Sequence, residues 1–209
     1  PIARGYRVLR HQPQLAKTDQ IGVCLGRRHV RRFGQLLQRH GAAAVGQLLV
    51  ALAVWGNAGP TVIHLEESSH PIHMNLRPGT VMALSTAMGR VFAAYLPAKR
   101  IERFIEESMH PHAFPHIIGN ACSWLEMQPA LQEVREHGMA RAQGQPIAGV
   151  SAFAAPVFDH NGDIVMVISA IGPTGGFNPD WDGEIASVLR EVAGSISAQL
   201  GFSASTPKN

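Results

Sequence analysis

The stretch SAFAAPVFDHNGDIVMVISAIGP, residues 151–173, decides how the chain folds. Two apolar runs flank Asn161-Gly162, a pair suited to the positive φ angles of a tight hairpin turn. The expectation is two antiparallel strands in the centre of a sheet. Period-two alternation over 163–172 puts Val165, Val167, Ser169 and Ile171 on one face, with Ser169 its only polar member. A hydroxyl on an apolar face needs a partner, either a ligand or a backbone carbonyl. Asp159 and Asp163 bracket the turn.

Working outward, VALAVWG and PTVIHLEE flank the turn residues NAG and read as a second hairpin, and PIHMNL could add an edge strand after it. Between the hairpins the period changes to that of helices. AKRIERFIEESM sets Ile101, Phe104 and Ile105 on one side of an amphipathic surface helix. A further helix precedes VREHG, with Gly138 as its stop; Ser123 and Glu126 match capping-box spacing, while Pro129 leaves the start of that helix open. After the central hairpin, Ile185, Val188, Leu189, Val192, Ile196 and Leu200 form a helical stripe that Gly201 ends. Upstream, GYRVLRHQPQLAKTDQIGVCLG reads as two short strands, and RRHVRRFGQLLQRHGAAAVGQLL as a helix broken by glycines. The order of strands, helices, strands and helix predicts an α+β fold, an antiparallel sheet with helices packed on it.

A chain of 209 residues, 45% of them hydrophobic, buries one main core. The longest apolar run, LLVALAVW at 48–55, falls far short of the roughly 20 residues of a membrane-spanning helix. The start PIARGYRVLR does not resemble a secretory signal, and Cys24 and Cys122 make no disulfide framework, so the expected location is cytoplasmic. Residues 1–40 hold nine of the 18 Lys and Arg but one of the 15 acids, Asp19, a net +8; the remainder is net −5. That split points to a basic arm that meets nucleic acid, attached to a body with another task. A metal centre is a poor reading: His110, His112 and His116 lie close together near Cys122, but Pro111 and Pro115 forbid a regular helix to align them, and no CxxC pair is present. Catalysis is not expected either, for no G-x-S-x-G or Walker loop occurs, and the cysteines and histidines fall in unconnected segments.

Residues 82–97, MALSTAMGRVFAAYLP, read as a buried helix entered through Ser85 or Thr86, with Met88, Val91, Phe92 and Tyr95 at helical spacing and Pro97 as the stop. Its start carries small residues and no acid, so its free N–H groups and dipole favour an anion. The alternative is that Thr86 caps a core helix while Ala87 and Gly89 allow close packing on the sheet.

Leu25-Gly26, the hairpin LAVWGNAGPTVIHLEES, the block TAMGRVFAAYLP, the helix end VREHGMA, the central hairpin and the final SISAQLG resemble, in order and spacing, the IclR family of bacterial transcription regulators. The resemblance implies a winged helix-turn-helix, a linker helix and a GAF-like effector-binding domain. Here that gives a remnant of the wing at 1–26, the linker region at 27–47, the effector-binding domain at 48–202 and a tail at 203–209. The DNA-reading helices would precede Gly5-Tyr6, leaving Arg4, Arg7, Arg10 and Lys17 for DNA phosphates and specific recognition of an operator to the absent helices. The resemblance further implies that backbone donors at Ala87 and Met88, with Gly89 easing approach, hold an effector's carboxylate, and that Ser169 and Ile171 touch the effector. Positions used for polar contacts by relatives with small polar effectors are here Ala142, Ala152 and Ile171. An apolar or aromatic carboxylate is therefore the expected effector, with no cofactor, and a homodimer or tetramer the expected assembly. The competing expectation is a stand-alone small-molecule-binding or oligomerisation module without DNA binding.

Overall fold

The computed structural model describes residues 48–67, 76–108 and 117–203. The first hairpin pairs β1 (Leu49–Gly56) with β2 (Gly59–Glu67). Leu49, which the sequence reading attached to the upstream helical segment, already belongs to the strand. Two short strands follow along the edge, β3 (Val81–Met82) and, after the helices, β4 (Ile117–Ile118), the latter paired in parallel. On the other side β5 (Ala140–Gln143), β6 (Val150–Phe158) and β7 (Ile164–Pro173) pair antiparallel, and β7 joins β1. The sheet order is β4-β3-β2-β1-β7-β6-β5. The edge strand expected at PIHMNL falls mostly outside the described residues, and the short strands β3, β4 and β5 carried too little pattern to be read from the sequence.

Among the described residues four α-helices pack about the sheet: α1 (Ala87–Tyr95), α2 (Ala98–Ser108), α3 (Trp124–His137) and α4 (Glu184–Gln199). The two faces of the sheet differ in side-chain size. Val50, Leu52, Val54, Phe153, Val157, Met166 and Ile168 point to one side and bury the stripe Ile185, Val188, Leu189, Val192 and Ile196 of α4. Ala51, Ala53, Ala140, Ala142, Ala152 and Ala154 point to the other, where α1 and Val134 of α3 pack. Small residues let α1 sit close to the strands. Beyond it, Ile101, Phe104 and Ile105 of α2 join Met127 and Leu131 of α3 in a third cluster. This is the α+β layering the sequence predicts.

Local chemistry explains the element ends. Ser123 caps α3 in a full capping box: its N–H donates to Glu126 Oε2 at 2.7 Å and its Oγ accepts from Glu126 N at 3.3 Å. That box fixes the start of α3, and Pro129 lies inside the helix on an exposed face. Gly138 ends it at φ 70°. In the central hairpin Asp159 Oδ1 accepts from the N–H groups of Asn161 and Asp163, at 2.9 and 3.0 Å, while Gly162 takes φ 79°. One expectation fails beside this turn. Val165 packs on the α4 side rather than with Val167 and Ile171, because the register slips there, Val157 facing Met166 and Phe158 facing Ile164. The extra residue in β7 reverses the alternation.

Candidate functional site

The site begins at the entry to α1. Thr86 is the N-cap, with φ −75° and ψ 160°. Its Oγ1 donates to the Ala83 carbonyl at 2.7 Å and accepts from Gly89 N at 3.2 Å, while its carbonyl accepts from Arg90 N at 2.9 Å. Ser85 turns away and bridges to Asn120, donating to its carbonyl and accepting from its N–H. The N–H groups of Ala87 and Met88 are left with no partner among the described residues, as expected of a helix's first turn.

Ala87 and Met88 border a cleft with an empty volume of about 380 Å³, its open mouth included. Its floor is a row across the sheet. Ala142 of β5 faces Ala152 of β6, which faces Ile171 of β7, and Ser169 stands in the next row between Ala154 and Ala51. Alanine at 142 and 152 leaves space that a larger side chain would fill. Gln145, Pro146, Ile147 and Val150, on and beside the loop joining β5 to β6, also line the cleft. That loop runs between Gly144 and Gly149, both at positive φ, 64° and 76°. No charged side chain lines the cleft. Its electrostatic asymmetry therefore comes from the helix end and the two free N–H groups.

Six residues singled out from the sequence, Ala87, Met88, Ala142, Ala152, Ser169 and Ile171, border this cleft together. Gly89 does not. A side chain there would run into the Ala83 carbonyl and Leu84 Cα, so this glycine serves the packing of α1 against the preceding turn. The loop residues Gln145, Pro146 and Ile147 were missed; the two glycines bracketing QPIA mark a turn, but nothing in the sequence shows which way it folds. Arg4, Arg7, Arg10, Lys17 and the histidines at 110, 112 and 116 lie outside the described residues.

Neighbouring charge is engaged elsewhere. Arg90 of α1 sends Nη1 to the Arg141 carbonyl at 3.1 Å; burial pulls its pKa down from the ordinary value, with Glu133 and Cys122 opposing. Arg141 meets Glu133 at 3.3 Å and lies over the Trp181 ring at 4.5 Å. Together these contacts hold β5, α1, α3 and the approach to α4 as one unit. Cys122 borders a second depression, under α2, and burial raises its thiol's pKa, with Glu126 adding and Arg90 opposing. A protonated thiol is a poor nucleophile. Among the described residues, no group of three His, Cys, Asp or Glu side chains could hold a metal ion.

Residues 27–198 match the family described as bacterial transcriptional regulator IclR, C-terminal. The chain belongs to the IclR family. Its members are transcription regulators rather than enzymes, and this chain carries the family's C-terminal domain. It is 30% identical over 141 residues to the HTH-type transcriptional regulator KdgR of Dickeya chrysanthemi, covering 67% of this chain and 45% of that protein. It is 26% identical over 206 residues to the uncharacterised HTH-type regulator RhmR of Escherichia coli K12, covering 93% and 78%. The chain spans about half the length of the KdgR relatives it matches. Among solved structures, Thermotoga maritima IclR aligns with TM-score 0.70 at 24% identity, over 96% of this chain and 74% of that one. The C-terminal domain of E. coli KdgR aligns with TM-score 0.60 at 24% identity, over 83% and 99%. At such identities the likeness concerns the IclR fold alone.

Proposed function

We propose that this chain is the ligand-sensing part of an IclR-type regulator and that the cleft under α1 holds its effector, an apolar or aromatic carboxylate. The observation that carries this reading is the pair of unpartnered N–H groups at Ala87 and Met88, two residues that border a cleft lined by no charged side chain. The donors fix the charge, and the apolar surfaces of Met88, Ile147 and Ile171 reward a hydrophobic body. A small oxoacid such as glyoxylate fills only the polar end and binds less well.

Effector binding acts by differential affinity, favouring one arrangement of subunits over another and so the spacing of the DNA-binding parts they carry. The basic segment 1–40, with Arg4, Arg7, Arg10 and Lys17, contributes contacts to DNA phosphates; the assembly is a homodimer or tetramer, and the cytoplasm is where operator DNA is met. No helix among the described residues is long and apolar enough to cross a membrane.

Ala87→Pro tests the site. Ala87 is the first helical residue, where proline's fixed φ is tolerated and its missing N–H costs the helix no bond, and Thr86 already has the extended backbone that precedes a proline. The variant should keep its thermal midpoint and lose at least tenfold in affinity for benzoate or phenylacetate by calorimetry. Unchanged affinity in the folded variant would remove the helix end from the effector site.

A further inference from the structure

We infer that Asn161 is a site of spontaneous deamidation and that Asp159 holds the reaction off while the central hairpin is closed. Asparagine is among the thermolabile residues, and a following glycine has no side chain to keep the carboxamide from its backbone nitrogen. Asn161-Gly162 is the one Asn-Gly pair in the 209 residues. Both residues are exposed, so the water that the second step consumes is at hand. In the first step Gly162 N gives up its proton and bonds to Asn161 Cγ, and the Cγ–Nδ2 bond breaks as Nδ2 leaves, with that proton, as ammonia. Water then adds to one of the two carbonyls of the cyclic imide. Opening at Cγ leaves aspartate; opening at the backbone carbonyl leaves isoaspartate, whose main chain runs through Cβ and Cγ and is longer by a carbon. No oxidant or other co-reactant enters.

Asp159 engages both reacting groups. Its carbonyl accepts from Gly162 N at 3.0 Å, so the attacking nitrogen keeps its proton in a hydrogen bond. Its buried carboxylate accepts from Asn161 N at 2.9 Å through Oδ1 and from Asn161 Nδ2 at 3.5 Å through Oδ2, which holds the carboxamide. The carboxylate's charge also opposes the negative charge that develops on Gly162 N as its proton leaves. The strands leading to this turn close on the end of α4: Phe158 N–H donates to Ser197 Oγ at 3.1 Å, and the Phe158 and Phe202 rings lie 5.1 Å apart. Reaction therefore follows opening of the hairpin, and the longer isoaspartyl chain no longer matches the spacing of the Asp159 bonds.

Peptide mapping by mass spectrometry tests this on the whole chain, held at physiological temperature and mildly alkaline pH, folded or in denaturing urea. In urea Asn161 should be the fastest-modified asparagine, with Asn178 inert to this route because Pro179 has no N–H to lose. In the folded chain Asn161 should react roughly ten- to a hundredfold more slowly, the population of locally opened hairpin setting the rate. Asp159→Ala should speed the folded reaction roughly tenfold, and Asp159→Ser, which keeps an acceptor for the turn amides, should lie between. A folded rate equal to that in urea, or a folded Asp159→Ala chain as slow as wild type, would overturn the guarding role. An Asn161 no more reactive in urea than Asn57 or Asn120 would overturn the site itself. If Asp159→Ala does not fold, wild type in sub-denaturing urea decides: a rate that rises before global unfolding supports the closed hairpin as the guard, and a flat rate overturns it.

Discussion

Glycine 89 illustrates how one residue can be needed for reasons unrelated to the ligand beside it. It occupies the first turn of α1, fully covered, where the helix crosses the backbone of Ala83 and Leu84. In an exposed helix, Gly→Ala gains about 1 kcal/mol from propensity. Here the added methyl meets backbone, which cannot swing aside, and overpacking of this kind costs typically 1–3 kcal/mol. Gly89→Ala should therefore lower the urea midpoint rather than raise it, and any loss of acid binding should track the loss of folded protein. A raised midpoint would show that the turn before α1 yields easily.

Among the elements, α3 carries a pH dependence that follows from its cap. The Glu126 carboxylate accepts from the Ser123 N–H at 2.7 Å and from its hydroxyl at 2.8 Å, and these bonds, the backbone one first, hold its pKa below the ordinary carboxylate value. A group whose folded pKa is depressed stabilises the fold above its unfolded pKa, and that contribution is lost as pH falls through the folded one. Wild type should therefore lose more stability than Glu126→Gln on acidification below about pH 4.5, the unperturbed value. Parallel urea melts at pH 7 and pH 3 check this, and identical losses in the two proteins would show that the box is not closed in solution. Ser123→Ala, which removes the cap itself, should cost about 1 kcal/mol at neutral pH.

For the whole molecule the charge division is the testable feature, because residues 1–40 are net +8 and the remainder net −5. If Arg4, Arg7, Arg10 and Lys17 contact four phosphates, as the proposed function has it, affinity for random duplex DNA should fall roughly a hundredfold between 50 and 200 mM salt. Replacing the four by alanine should flatten that dependence, and an unchanged slope would place the DNA contacts elsewhere. What the sequence alone determined is what depends on neighbours along the chain: both hairpins from their turn residues, the helical stripes of α2 and α4, and an entry to α1 at Ser85 or Thr86, since period, turn chemistry and capping act within a few residues. Tertiary structure alone decided the rest. Strand pairing brought Ala142, Ala152 and Ile171 into one row, the slip beside Val165 turned that side chain to the opposite face, and the fold of the 144–149 loop brought Gln145, Pro146 and Ile147 to the cleft. It also committed the Ser169 proton to Phe153, 16 residues away, a bond no local pattern encodes, because register between strands is set by how whole faces pack.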